Sequence, residues 1–246
     1  MNVCIYRIPR GLSIVSPGSA CPACGSRLRA RELIPLASYL ALRGKCSSCG
    51  ARISPRYPVV ELLCGALWAA LFYKFSLSLP FFCYATLCSI LLAVVFIDLE
   101  FMRIPNALVA CALAPALVAA LKHVFFSSGA ERFAGAYGSL NAAEPLLGLI
   151  PCAFFLCVFI VSAIAGGGAA AVGMGDIKLL VPIGIALGLK RGALALFIAV
   201  LCGGLTGVAL MAFGIKKRKD PIPFGPFLVI GVYAAIFLPI PMMFYL

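Results

Sequence analysis

What most constrains this chain is the series of long apolar runs that begins at Pro58 and continues to the end. Segments such as "SILLAVVFI" (89–97) carry no charge and show no alternation. About 20 apolar residues cross a hydrocarbon core of about 30 Å as a helix. Closed β-barrels, the other spanning solution, alternate apolar and polar positions. The sequence therefore predicts an all-α polytopic membrane protein with about seven transmembrane helices, over 58–73, 80–97, 105–122, 145–166, 177–189, 192–214 and 226–245. The 177–189 run is short, and the small residues before it are expected to lengthen it. Hydrophobic residues make up 63% of the 246, well above the near-half share of a soluble domain, so the lipid bilayer is an expected partner.

Charge divides the chain. Residues 1–57 read as a basic cytoplasmic domain with paired CxxC motifs, and residues 58–246 as the membrane domain. The net charge of +12 is concentrated before the first apolar run and in "KKRK" (216–219). That is the distribution expected of cytoplasmic segments. No aromatic-interleaved basic surface accompanies it, so nucleic acid is not an expected partner. With residues 1–57 cytoplasmic, threading the spans leaves the 127–143 loop outside and "KKRK" inside. Lys190 and Arg191 then fall outside, against the trend.

The same threading brings Asp98 and Asp176 to one depth at the cytoplasmic rim, although 78 positions separate them. Only 8 acidic residues occur in the chain, and an acid within a membrane segment is costly enough to be a functional candidate by default. Two carboxylates in register suit an aspartic-protease dyad, in which like charges share one proton. The ionised member activates a water, while the protonated one polarises the scissile carbonyl and later protonates the leaving amine. Gly173 and Gly175 before Asp176 lack a Cβ and permit a sharp turn or a close substrate strand. An Asp at a helix end is commonly an N-cap or anchor, and that reading stands for Asp98 taken alone. The pair in register favours chemistry. Glu100 and Lys178 are expected at the interface, and Glu61 fits either an anchor or a site role.

"CPAC" (Cys21, Cys24) and "CSSC" (Cys46, Cys49) form paired knuckles that suit four thiolates about a structural Zn²⁺. Zinc would supply folding free energy that a small basic domain lacks. Disulfides are disfavoured in a reducing compartment, and the eight other cysteines have no framework spacing. "PIPFGPFL" (221–228) either walls the cleft or simply starts the last helix. "GGGAAAVG" (166–173) follows no strand and is not a nucleotide loop. His123 has no assigned role.

Together these residues resemble the type IV prepilin peptidases, leader peptidases of the GxGD membrane aspartic class. The likeness rests on "NVCIYRIPR", the two CxxC pairs around "RELIPLASYLALRGK", "SPRYPVVELL", Asp98 with "IPN" (104–106), "GMGDIKLL" and "PFGPFL". It implies that Asp98 and Asp176 are the catalytic pair and that Gly173 and Gly175 support the active-site loop. It further implies prepilin or type II secretion pseudopilin substrates, cut at the cytoplasmic face of the bacterial inner membrane between a basic leader and an apolar mature segment. Members with the cysteine-bearing segment often also methylate the new N-terminus with S-adenosylmethionine, so a bifunctional enzyme is expected. The resemblance also implies a further apolar helix upstream of "NVCIYR". A presenilin-like protease is the nearest alternative, weakened because "PFGPFL" stands where that group would carry Pro-Ala-Leu. An ion-coupled transporter is the alternative from another class, weakened by the lack of repeated halves.

Overall fold

The computed structural model of the chain describes residues 1–126, 142–165, 173–217 and 220–238. Most of the 127–143 loop, the greater part of "GGGAAAVG", Arg218 and Lys219 of "KKRK", and the end of the 226–245 run lie outside these residues. The chain divides into two compact units, Met1–Ser76 and Leu77–Leu246.

In the first unit, α1 (Asn2–Arg7) and α2 (Ala37–Ala41) precede the long α3 (Arg56–Phe75). Single antiparallel bridges, Ala20 with Arg27 and Lys45 with Arg52, flank the two cysteine pairs. Glu61 on α3 holds the short pieces together. One carboxylate oxygen accepts the Asn2 side-chain amide at 3.2 Å, and the other accepts the Leu36 N–H at 2.9 Å. Leu36 has a positive φ of 59° just before α2, so this hydrogen bond steadies a conformation that side chains ordinarily disfavour. Glu61 is thus a tie within its own unit.

In the second unit, α4 (Leu79–Phe101) is capped by the Ser78 hydroxyl, which accepts the Phe81 N–H. It runs past the expected end at 97, because the chain turns only at Met102, whose φ of 50° ends the helix in the left-handed region. Asp98 therefore sits inside the last turn of α4 rather than beyond it. After Pro105, α5 (Asn106–Leu121) begins, and a π-helical turn over Lys122–Phe126 continues it and buries His123. The run expected over 145–166 is divided between α6 (Glu144–Leu147) and α7 (Ile150–Ala165). Then come α8 (Met174–Ala212) and α9 (Gly225–Phe237).

The two runs expected at 177–189 and 192–214 lie in this one element, α8, of 39 residues. At 1.5 Å per residue a straight helix of that length would reach roughly 58 Å, nearly twice the hydrocarbon core. It is not straight. Gly188 breaks it with φ 73° and ψ −175°, a conformation open to glycine and costly for any other residue. After the break, residues 189–212 run antiparallel to α9. A Cβ on Gly231 would fall 2.0 Å from the Ala195 carbonyl oxygen, while Gly203 faces Phe227 and Gly207 faces Ile222. Such close backbone approach is how small residues pack apolar helices.

Among the described residues, four helices are long and apolar enough to cross a membrane: Arg56–Phe75, Leu79–Phe101, Asn106–Phe126 and Met174–Ala212. Shorter apolar helices cover Glu144–Val158 and Gly225–Phe237. Three of the seven anticipated runs take another form here, two lying in one broken helix and one divided between two helices.

A buried polar clasp closes the Gly188 end of this unit. Glu144 is 3% exposed and accepts the Leu189 N–H at 2.9 Å, capping the restarted helix. Arg191, threaded to the outer side of the membrane, is 8% exposed and donates to the Ala235 and Ile236 carbonyls at the end of α9. A helix end in an apolar setting needs such partners. Glu144→Ala is expected to destabilise this unit by about 1–3 kcal/mol. A lowered thermal transition in detergent micelles would show it, and an unchanged transition would contradict it.

Candidate active site and metal centre

The end of the second unit opposite the clasp gathers both predicted aspartates. Asp98 on the last turn of α4 is 5% exposed, and Asp176 in the first turn of α8 is 9% exposed. Each carboxylate lies within electrostatic range of the other. Two facts of the local sequence produce this arrangement. Gly173 precedes α8 with extended backbone, so the chain enters the helix abruptly and carries Asp176 on its first turn. Met102 stops α4 one turn after Asp98, leaving "RIPN" to cross to α5.

Each predicted glycine has a definable steric reason. A Cβ on Gly173 would lie 2.8 Å from Asp176 Oδ2, so the carboxylate folds back over the space that a side chain would fill. A Cβ on Gly175 would meet the Ile104 Cβ at 3.1 Å, so the start of α8 approaches the "IPN" turn closely. Lys178 adds a tie in the same place, donating to Asn106 Oδ1 at 3.1 Å. Glu100 is exposed beside Asp98.

The structure gives a definite contact to Gly225, in the segment that the sequence left either walling the cleft or starting the last helix. The Gly225 N–H, at the first position of α9, donates to Asp98 Oδ2 at 3.0 Å. A Cβ there would lie 2.7 Å from the same oxygen. The available signal was a glycine between prolines at a helix start, which marks a close approach as readily as a turn. The amide of a helix N-terminus is well suited to a carboxylate oxygen. "PFGPFL" therefore forms part of the wall around Asp98, 127 residues away in the chain. Phe224 is held beside it by stacking on Phe155 of α7, with ring centroids 6.5 Å apart.

In the first unit, the sulfur atoms of Cys21, Cys24, Cys46 and Cys49 all lie within 4.8 Å of one another. Each pair is built alike. In one, the Cys21 N–H donates to the Ser26 carbonyl at 2.9 Å and the Gly25 N–H returns to Cys21. In the other, the Cys46 N–H donates to the Ala51 carbonyl at 2.8 Å and the Gly50 N–H returns to Cys46. Zn–S bonds of about 2.3 Å in a tetrahedron put sulfurs about 3.8 Å apart, and Cys21 and Cys49 stand at 4.0 Å. The donor set and its spacing fit zinc. The Cys49 and Ser48 amides pull the Cys46 thiol down to about 6, and the Ser26 hydroxyl and amide lower that of Cys24. Both effects favour the thiolate that binds metal, whereas at Cys49 the Ala51 amide is outweighed by the neighbouring Cys24 sulfur and by desolvation, which push that thiol up to about 11.

Helices of membrane-spanning length with two buried aspartates at one end of them define a helical membrane protein. Comparison with known proteins places it more narrowly. Residues 1–75 match the family model described as bacterial peptidase A24 N-terminal domain, and residues 85–208 match the type IV leader peptidase family. A prepilin leader peptidase/N-methyltransferase of Bacillus subtilis is 40% identical over 225 residues, 92% of this chain and 83% of that protein. The protein of the same name from Burkholderia pseudomallei is 35% identical, over 97% of this chain and 72% of its own length. That from Pseudomonas aeruginosa is 34% identical, over 91% and 72%. No solved structure matches. The chain belongs to the type IV leader peptidase family.

Proposed function

We propose that the chain is a membrane aspartic endopeptidase that removes the leader from prepilins or pseudopilins, with Asp98 and Asp176 as its catalytic pair. The observation that carries this is the convergence of two buried carboxylates, 78 positions apart, each seated against a glycine whose side chain would collide with it. The two aspartates share one proton. The ionised member takes a proton from water as its oxygen attacks the scissile carbonyl, and the protonated member hydrogen-bonds the developing oxyanion. Collapse of the tetrahedral intermediate breaks the C–N bond, and a proton passes to the leaving amine. The Gly225 N–H keeps one oxygen of Asp98 fixed, leaving the other to work. Gly173 and Gly175 support the turn that presents Asp176.

Seven crossings are the proposed topology, with residues 174–187 and 189–212 counted separately on either side of the Gly188 break. The N-terminal domain and the aspartates then lie on the cytoplasmic side of the bacterial inner membrane, and Glu144 and Gly188 on the other. The basic charge before Pro58 supports that orientation. Reporter fusions within 127–143 and at 216–219 test it, the first expected outside and the second inside. The four cysteines would hold a structural zinc that closes the fold of residues 1–57. From the names of its relatives we carry over N-methylation of the new N-terminus, with S-adenosylmethionine as methyl donor. That cofactor supplies an electrophilic methyl group to the amine that proteolysis releases.

Incubation of the purified enzyme with a prepilin-type substrate, followed by mass analysis of the product N-terminus, tests both reactions together. Gly225→Ala tests the wall around Asp98. The added methyl displaces either the carboxylate or the start of α9, and misplacement on the 1 Å scale costs about 10²-fold in rate. Cleavage is expected to fall by that order while the thermal transition stays near that of the wild type. Full activity in the alanine variant would mean that the Gly225–Asp98 contact does not matter to the reaction.

A further inference from the structure

The first unit carries a groove of about 330 Å³ to which neither the aspartates nor the cysteines contribute. It lies between the 3₁₀ turn Ala30–Leu33, α2 and the second cysteine knuckle. Its lining is of two kinds. Ala37, Ala41 and Leu42 give it an apolar part, while Arg31, Glu32 and Ser47 give it opposite charges and a hydroxyl. A groove of similar size in the second unit, beside Phe224 and Phe227, is lined by no charged residue.

Glu32 is fixed by the chain itself. One of its carboxylate oxygens accepts the Ser47 hydroxyl, and the other accepts the Arg29 N–H at 2.7 Å. An ionised carboxylate offers about four acceptor positions, which leaves about two for a ligand. Ser47 stands between Cys46 and Cys49, so the knuckle that suits the metal also sets one wall of the groove.

We propose that this groove binds S-adenosylmethionine, with Arg31 and Glu32 holding its amino-acid end and the apolar side chains of α2 and Leu42 lying against its adenine. The proposal rests on the methylation reading. The two kinds of lining match the two ends of that molecule. Its carboxylate suits the planar fork of an Arg guanidinium, and its ammonium suits the open positions of a carboxylate. The flat base suits an apolar wall. The volume lies within the roughly 300–1,000 Å³ of small-molecule sites.

The experiment measures binding of two probes by the purified, zinc-loaded chain in detergent. One is S-adenosylhomocysteine, and the other is 5′-methylthioadenosine, which lacks the amino-acid end. Glu32→Gln is expected to weaken the first at least about tenfold, the scale of one charge-assisted hydrogen bond, and to leave the second within about twofold. Ala41→Trp, which fills the apolar part from an exposed position, should weaken both. Equal losses of the two probes in Glu32→Gln, or no loss in either variant, overturn the site. Should the variants fail to fold, ultraviolet cross-linking of S-adenosylmethionine to the wild type decides. Labelled peptides within 31–47 support the groove, and labelled peptides elsewhere overturn it. A wild type that binds neither probe and leaves the cleaved N-terminus unmethylated defeats the methylation reading itself. Methylation without labelling within 31–47 defeats only the groove.

Discussion

Asp98→Asn and Asp176→Asn are each expected to reduce leader removal by about 10²–10⁴-fold, the range for loss of a positioned acid or base. Asparagine keeps the size and planarity of the carboxyl group, and at position 98 its carbonyl oxygen can still accept the Gly225 N–H seen at 3.0 Å. The fold should therefore survive, and a thermal transition near the wild-type value separates lost chemistry from lost structure. Because the two groups act as one unit, the double variant is expected to be little worse than either single one. A gel-shift assay of leader removal on a co-expressed prepilin reads all three. Full processing by either single variant would falsify the dyad.

The second large effect concerns the cysteines. Cys46→Ser, or treatment with a strong chelator, is expected to strip the metal and unfold the small N-terminal part. Structural zinc in comparable small domains binds with an apparent free energy of about 10–16 kcal/mol near neutral pH. Few short elements are there to hold that part once the metal is gone: α1, α2, two 3₁₀ turns and two isolated bridges precede α3. Metal analysis should return about one zinc per intact chain and almost none in the variant. Limited proteolysis within residues 11–55 should accelerate in parallel. Acid should act in the same direction. The folded environment lowers the Cys46 thiol from its ordinary 9.0 to about 6, so its thiolate persists through neutral pH. Zinc retention is expected to decline in acid, when protons compete for the sulfurs. Metal content that is unchanged in the variant and at low pH would refute a Cys₄ site.

Much of the site was legible before any coordinates. Local pattern carries the cysteine pairs, because a knuckle is built from neighbours: each CxxC is followed by a glycine with φ of 70°, at Gly25 and Gly50, and each closes on itself. Hydropathy carries the apolar helices, because lipid imposes length and composition on every crossing. Topology then places Asp98 and Asp176 at one depth, since residues at the same end of successive helices share a side of the membrane. Position along the chain was less legible. Asp98 belongs to the last turn of α4 because of the backbone at Met102, and no hydropathy boundary reports a dihedral angle. Threading left Arg191 outside against the charge trend, and only the packed structure shows the carbonyls of Ala235 and Ile236 that receive it.

By itself, then, the sequence determined the class of fold, the two carboxylates, the four thiols and the glycines beside Asp176. All of these follow from composition, spacing or chain direction. Tertiary structure alone decided that the chain doubles back at Gly188, that Glu144 and Arg191 close that end, and that Gly225 supplies an amide to Asp98 from 127 residues away. Those contacts join residues with no periodic relation in the chain, brought together only when helices pack closely enough for a missing Cβ to matter.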